Sequence, residues 1–177
     1  MRAPEETYHP LVQLARAAIT AYVRERRKIS PDEAPAAITG APAGVFVTLH
    51  RESTCDLRGC IGTIGPTEPS LAQEVISNAI SAATRDWRFQ PVGPTELADL
   101  AIDVSVLYPP EPIATLAELN PRRYGVIVQR GGRRGLLLPD IEGVDDTETQ
   151  VRIARQKAGI GPEEAVKLYR FRVEKYT

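Results

Sequence analysis

Three stretches with the apolar spacing of helices alternate with pairs of β-rich segments, and this order restricts the fold more than any other feature of the sequence. Neighbouring β-rich segments are joined by short turns, so they are expected to pair as antiparallel hairpins. Helices placed between hairpins predict an α+β fold, in which helices flank a mostly antiparallel sheet. A chain of 177 residues can bury a core without metal or disulfide support. No internal repeat is apparent.

The predicted elements follow from hydrophobic periodicity, helix caps and breaker residues. Helices are predicted over Pro10–Arg27, over Leu71–Thr84 after the capping pair Ser70 and Gln73, and from Asp146 to Ala158 with Gly159 as the terminating glycine. A surface loop rich in proline and glycine is predicted for residues 30–44. The predicted strands are Val45–His50, Leu57–Ile64, Ala101–Leu107, Tyr124–Arg130, Gly135–Leu138 and Val166–Tyr176.

Charge and composition narrow the function classes. The chain has 22 Lys+Arg against 23 Asp+Glu, which argues against a dedicated duplex nucleic-acid binder. Aromatic residues are only 6%, and no stacking pair lies beside the basic clusters at 24–28 and 130–134, so single-stranded nucleic acid is the least favoured ligand. The first residues do not form a secretory signal, and the longest apolar stretches fall far short of the roughly 20 residues of a membrane span. We therefore expect a cytoplasmic protein with reduced thiols and no membrane contact.

One segment stands out chemically, the hexapeptide Leu57-Arg58-Gly59-Cys60-Ile61-Gly62. Glycine weakens a strand interior, so two glycines around a cysteine indicate a bulge or the close approach of another backbone or a ligand. Arg58 could lower the pKa of the Cys60 thiol, as a nucleophile requires. The alternative is a buried strand cysteine that acts as a small apolar side chain.

A second candidate group follows the second predicted helix and consists of Asp86, Trp87, Arg88 and Phe89. The acid and the base could line a cleft with Cys60, or they could form a structural ion pair. Trp87 and Phe89 are large enough to anchor the helix exit, and we expect Trp87 to lie in contact with the hexapeptide hairpin.

Other arrangements of reactive residues are weaker. Five residues of extended strand keep Cys55 too far from Cys60 for a disulfide. His9 and His50 are the only histidines and lack ligand spacing, so neither a metal nor any other cofactor is predicted. A His50–Cys60 dyad across the hairpin is conceivable. Arg133 and Arg134, at the predicted Gly131-Gly132 turn, could bind a small anion.

The hexapeptide resembles the signature of the AMMECR family, whose bacterial and archaeal branch is the AmmeMemoRadiSam system protein A. The resemblance covers about Leu11–Tyr176, and it predicts a single AMMECR-type domain over residues 1–177. The chain departs from the family pattern at Val144-Asp145-Asp146, where members often have a tryptophan-aspartate pair. The further matching blocks, in family order, are Phe46-Val47-Thr48-Leu49, Ala82–Phe89, Val104-Ser105-Val106-Leu107, Gly135-Leu136-Leu137-Leu138-Pro139 and Lys157-Ala158-Gly159.

The resemblance implies an α+β fold with a smaller subdomain, and it implies Memo-like and radical SAM proteins as partners, but no particular reaction. We expect a cytosolic enzyme or enzyme-system subunit that acts on a small anionic ligand. The alternatives are a non-catalytic module that binds a protein or an anion, and, last, a nucleic-acid binder. The candidate site comprises the catalytic residues Cys60 and Asp86 and the ligand-binding residues Arg58, Gly59, Gly62 and Arg88.

Overall fold

A computed structural model describes residues 8–34 and 37–177, so residues 35 and 36 of the predicted loop lie outside it. The chain forms two compact units: unit 1 runs to Leu107 and includes Lys175–Thr177, and unit 2 is Tyr108–Glu174. The helices are α1 (Pro10–Glu25), α2 (Leu71–Thr84) and α3 (Thr147–Lys157). The strands are β1 (Gly44–Arg51), β2 (Leu57–Gly62), β3 (Leu100–Leu107), β4 (Glu111–Ile113), β5 (Gly125–Arg130), β6 (Arg133–Leu137), β7 (Lys167–Phe171) and β8 (Val173–Tyr176).

Two four-stranded sheets take the place of the one sheet expected from the sequence. Their strand orders are β2-β1-β3-β8 and β4-β7-β5-β6, and the registered pairs are antiparallel. The α+β class, the flanking helices and the smaller second unit are therefore confirmed. The predicted strand Val166–Tyr176 is wrong as one element, because the chain leaves one sheet at Phe171 and enters the other at Val173.

Helices α2 and α3 begin where the sequence predicts them, whereas α1 ends at Glu25 and not at the predicted Arg27. The Ser70 side chain accepts the Gln73 N–H at 3.3 Å and caps α2. Asp146 accepts the Thr149 N–H at 2.7 Å and caps α3. Gly159 follows α3 with φ of 64°, the left-handed conformation that favours glycine at this position.

In unit 1, helices α1 and α2 cover one face of the sheet. Val45, Val47 and Leu49 alternate along β1 and are fully buried against the helices. Because successive side chains of a strand point to opposite faces, the residues between them lie on the other face, which we call the outer face. The apolar stripe predicted for α1 consists of Leu11, Leu14, Ala15, Ala18, Ile19 and Tyr22, of which Tyr22 is partly buried and the others are buried in this core. The stripe predicted for α2 is also buried there and consists of Leu71, Val75, Ile76, Ala79, Ile80 and Ala83.

Unit 2 repeats the hairpin-then-helix arrangement of unit 1, which the sequence does not reveal. In each unit a glycine of the hairpin's second strand packs under a backbone carbonyl of the following helix, Gly59 under Ala82 and Gly135 under Ala154. The sequences of the two hairpins share the Arg-Gly pair, Arg58-Gly59 and Arg134-Gly135, and little else. The core of unit 2 consists of Leu119, Val126, Val128, Leu137, Val144, Val151, Ala154 and Ile160.

Among the helices in the described part of the chain, none combines the length and apolar character needed to cross a membrane.

Candidate functional site

Cys60 lies on edge strand β2, opposite Thr48 of β1. Gly59 faces α2, so the Cys60 side chain points to the outer face of the sheet. Its Sγ is 3.3 Å from Thr48 Oγ1, within hydrogen-bond distance, and the residue is half-buried. Both cysteine thiols are free, and Cys55 is exposed. Cys60 is therefore neither a fully buried core cysteine nor a fully exposed one.

The hexapeptide contains both features that its glycines predicted. The register of β1 and β2 shifts at Leu49 and His50, which leaves Arg58 as an extra, bulged residue. A Cβ on Gly59 would lie closer than 3.0 Å to the Ala82 carbonyl oxygen, and one on Gly62 would overlap the Phe46 ring. Packing against protein atoms accounts for both glycines. Their predicted ligand-binding role remains a prediction.

Asp86 approaches Cys60 from the end of α2. Its Oδ2 accepts the Cys60 N–H at 2.9 Å, an edge-strand donor that no neighbouring strand satisfies on this side. The Arg88 guanidinium donates from Nη2 to Oδ2 at 2.7 Å and from Nε to Oδ1 at 2.9 Å. Asp86 is 5% exposed. The structure thus brings three of the predicted site residues together.

Hydrogen bonds determine the charge of Asp86. Those from Arg88 hold the pKa of the buried carboxyl well below its usual range, and the Cys60 N–H acts in the same direction. Asp86 is an anion across the physiological range, so it is suited to positioning and not to proton transfer. The pKa of Arg88 is raised chiefly by Asp86, and the charge of a Cys60 thiolate also favours the protonated guanidinium.

Arg58 has a different environment from the one predicted. Its side chain is 7% exposed. Nε and Nη2 donate to the two carboxylate oxygens of Glu96 at 2.9 and 3.1 Å, and Nη2 also donates to the Gln90 carbonyl. Arg51 adds a bond to Glu96 at 3.0 Å. These bonds lower the pKa of Glu96 to about 2, with Arg58 as the main cause. Arg58 joins strand β2 to the loop that follows α2.

Trp87 does not anchor the helix exit, and this expectation was wrong. The residue is 91% exposed. Phe89 is the half-buried aromatic residue instead, with the guanidinium groups of Arg58 and Arg88 at 5.9 and 5.4 Å from its ring centroid. Asp86 adds a direct hydrogen bond between this segment and the hexapeptide, because its short charged side chain reaches the edge-strand N–H of Cys60.

Polar residues that the sequence analysis missed continue the site across the outer face. Asp103 of β3 is registered opposite Thr48. Its Oδ2 lies 2.9 Å from Lys175 Nζ and 3.9 Å from His50 Nε2. The outer face thus carries a thiol, a hydroxyl, a carboxylate, an imidazole and an ammonium group on neighbouring strands. Alternation in β1 and β3 could have indicated Thr48 and Asp103, but no local signal points to Lys175.

The other candidates from the sequence lie elsewhere or have other partners. His50 Nδ1 is 3.3 Å from the Cys55 carbonyl oxygen, so the imidazole contacts Cys55 and Asp103 and not Cys60. Arg133 forms an ion pair with Glu164, and Arg134 is exposed. Within residues 8–34 and 37–177, no three His, Cys, Asp or Glu side chains are grouped so as to hold a metal ion.

The fold and the outer-face site define a class of α+β protein with a hairpin-then-helix arrangement in each of two units. The AMMECR1 family model matches residues 12–176, and the chain belongs to this family. It is 55% identical over 171 residues to a protein of Thermotoga maritima, covering 95% of this chain and 97% of the relative. A solved structure of an uncharacterized protein from Pyrococcus horikoshii superimposes with a TM-score of 0.83 at 37% identity, covering 93% of this chain and 88% of that one.

A third relative differs in length. A protein of Clostridium acetobutylicum is 44% identical over 169 residues, which is 94% of this chain but only 36% of that protein. In that organism the matching segment is therefore part of a longer chain.

Proposed function

We propose that this chain is a thiol-dependent enzyme, or the thiol-bearing subunit of an enzyme system, acting on a small anionic substrate. The observation that carries the proposal is Cys60: a half-buried thiol on the outer face, within hydrogen-bond distance of a hydroxyl and beside an Asp86–Arg88 pair. A thiolate is the reactive form of cysteine, and a nearby cation and hydroxyl donor stabilise it. Cys60 is the catalytic residue in this scheme.

Asp86 acts as a positioning residue. It fixes the Cys60 backbone through the N–H and holds the Arg88 fork through two side-chain bonds. The Arg88 side chain is 41% exposed, and Nε and Nη2 face Asp86, so the outward edge of the guanidinium is free to meet a substrate anion. Arg88 thus takes the anion-binding role that the sequence analysis shared between Arg58 and Arg88.

The remaining outer-face groups are suited to handling protons. The His50 side chain is 35% exposed and lies near Asp103, an arrangement in which a carboxylate orients an imidazole. Lys175 neutralises Asp103. On this proposal the Cys60 thiol loses its proton by way of the Thr48 hydroxyl to solvent at the outer face, and the resulting thiolate is the nucleophile.

The thiol proposal is tested by alkylation kinetics in a Cys55→Ser background, where Cys60 is the only thiol. We expect iodoacetamide at pH 6 and 7 to react with Cys60 faster than with free cysteine, because the nearby Arg88 guanidinium attracts the negative charge of the nucleophile. Arg88→Gln should slow the reaction severalfold, and Arg88→Lys should keep most of it.

The matched control is Arg85→Gln, which removes the same charge from an exposed arginine on the same segment. It should leave the alkylation rate unchanged. A rate for Cys60 at or below that of free cysteine, insensitive to Arg88, would contradict the nucleophile role.

A second candidate function, a non-catalytic module that recognises a partner protein, is favoured by Trp87. Trp87 is almost fully exposed, whereas tryptophan is highly buried on average. Because tryptophan is enriched at the centres of protein interfaces, its exposure favours a partner that covers it. The Clostridium relative, in which the matching segment belongs to a longer chain, also suits a module that works with other domains. The proposed partners are the Memo-like and radical SAM proteins that the family resemblance implies, and the proposed compartment is the cytoplasm.

Trp87→Ala tests the module. We expect the free energy of unfolding to change by less than about 0.5 kcal/mol, because the indole packs against little. Binding to a Memo-like protein from the same organism, measured by calorimetry, should weaken tenfold or more. Cys60→Ser should leave that binding intact. Phe89→Ala is the comparison for stability. Because Phe89 is half-buried, this substitution should lower the free energy of unfolding more than Trp87→Ala does.

A further inference from the structure

A small pocket in unit 2 shares no residue with the Cys60 site. Its volume is about 250 Å³, below the roughly 300–1,000 Å³ of pockets that take drug-sized ligands. Aromatic, proline and arginine side chains make up most of its wall. The lining residues are Tyr108, Pro109, Pro110, Glu111, Tyr124, Arg170, Phe171 and Arg172.

Each of two arginines in this wall lies against a tyrosine ring. The Arg170 guanidinium carbon is 4.7 Å from the centroid of Tyr124, and that of Arg172 is 5.7 Å from the centroid of Tyr108. Both distances fall within the roughly 6 Å of a cation–π contact. The Tyr108 hydroxyl donates to Glu174 at 2.9 Å, which fixes its ring. The pocket therefore combines aromatic and proline surfaces with two guanidinium groups that lie over the tyrosine rings.

The two arginines differ in how many of their guanidinium N–H groups are hydrogen-bonded within the protein. Arg170 donates from Nε to Glu111 at 3.2 Å and from Nη1 to the Glu118 carbonyl at 2.9 Å. Arg172 is exposed, and its contact with the Tyr108 ring is its only interaction with another described residue that involves the guanidinium. Its planar fork is thus available to a carboxylate, which matches it with two parallel hydrogen bonds.

We propose that this pocket binds a small aromatic carboxylate, a single planar ring with one anionic substituent. The ring would pack against Pro109 and Pro110, because the Arg170 guanidinium already lies over the Tyr124 ring, and the carboxylate would accept hydrogen bonds from Arg172. The volume fits one ring, and the two arginines of the wall favour a negative substituent. This function is independent of Cys60.

The test is calorimetric titration of the full chain with 4-hydroxybenzoate. Two comparison compounds separate the parts of the proposal: 4-hydroxybenzamide keeps the ring without the charge, and acetate keeps the charge without the ring. We expect saturable binding of 4-hydroxybenzoate and at least tenfold weaker binding of both comparison compounds. Arg172→Gln should weaken 4-hydroxybenzoate binding tenfold or more, and this exposed position should not disturb folding.

Arg134→Gln is the matched control, because Arg134 is an exposed arginine of the same unit outside the pocket wall. Binding that survives Arg134→Gln but not Arg172→Gln supports the proposal. It is overturned if 4-hydroxybenzoate does not bind, if acetate or the amide binds as tightly, or if both arginine variants lose the same affinity. Cys60→Ser should leave the titration unchanged whatever the fate of the thiol proposal.

Discussion

Gly59→Ala is expected to destabilise unit 1 by about 3 kcal/mol. A Cβ at this position would lie closer than 3.0 Å to the backbone carbonyl oxygen of Ala82 in α2. The obstruction is backbone and not the end of a flexible side chain, so either the helix or the strand must shift. The small gain that alanine brings by restricting the unfolded chain, about 0.4–1 kcal/mol, cannot offset this. Urea denaturation followed by circular dichroism measures the loss.

Gly65→Ala is the control for Gly59→Ala. Apart from Gly65 and its two chain neighbours, no heavy atom of the described residues lies within 4 Å of a Cβ added at Gly65, and the two glycines belong to the same stretch of chain. Its free energy of unfolding should differ from wild type by no more than about 1 kcal/mol. Equal stability of the two variants would mean that the approach of α2 to β2 does not require glycine, and that Gly59 is retained for a ligand instead.

Helix caps and apolar periodicity predicted the helices and most of the strands, because both signals lie within the element that they predict. Ser70 and Asp146 cap the helices they precede, and the apolar stripe of α1 is buried as predicted. Strand β4 escaped prediction because it has three residues, one of them Pro112, and becomes a strand only by pairing with β7. The break at Arg172 escaped because apolar alternation runs through it from Phe171 to Val173.

The part of the candidate site that depends on neighbouring residues was predicted, and the part that depends on strand register was not. The glycine pattern identified a bulge and a close approach, and Asp86 and Arg88 do lie beside Cys60. The outer-face partners depend on register: Thr48 and Asp103 meet because β1 and β3 pair in one alignment of several that alternation permits. Lys175 reaches Asp103 from the far end of the chain.

The Arg58–Glu96 bond shows what residue types alone cannot determine. An arginine next to a glycine-flanked cysteine has the same sequence signature whether it binds a ligand or a carboxylate of the protein. Glu96 is 38 residues away in a short 3-10 turn, and only the fold brings it to Arg58. The bulge at Arg58 helps, because it inserts an extra residue whose side chain reaches past the sheet edge.

Glu96→Gln is expected to lower the free energy of unfolding by about 3 kcal/mol at neutral pH, since it leaves the nearly buried Arg58 guanidinium without its anion. The pKa of Glu96 falls from an ordinary 4.5 to about 2 in the folded protein. Its contribution to stability is therefore complete above about pH 4.5 and is lost progressively as the pH falls toward 2. Over that window the wild type should lose stability more steeply than Glu96→Gln. Urea midpoints at several pH values measure both slopes.

Glu111→Gln is the control, because Glu111 pairs with Arg170 at 3.2 Å but its side chain is 60% exposed. An exposed pair contributes at most about 1 kcal/mol. If Glu96→Gln is no more destabilising than Glu111→Gln, the Arg58–Glu96 bond contributes little and Arg58 is free for another role.

The double variant Arg58→Met with Glu96→Leu separates structure from ligand binding at Arg58. Replacing both partners of a buried ion pair by apolar residues is often neutral, because no charge is left unpaired. We therefore expect the double variant to recover most of the stability that Glu96→Gln loses, although Arg51 and the Gly93 N–H then lose their bonds to residue 96. If Arg58 is purely structural, Cys60 alkylation in the double variant proceeds at the wild-type rate. A stable double variant with slow alkylation would show that Arg58 influences the reactivity of Cys60. Arg58 would then be a residue of the site, as the hexapeptide predicts.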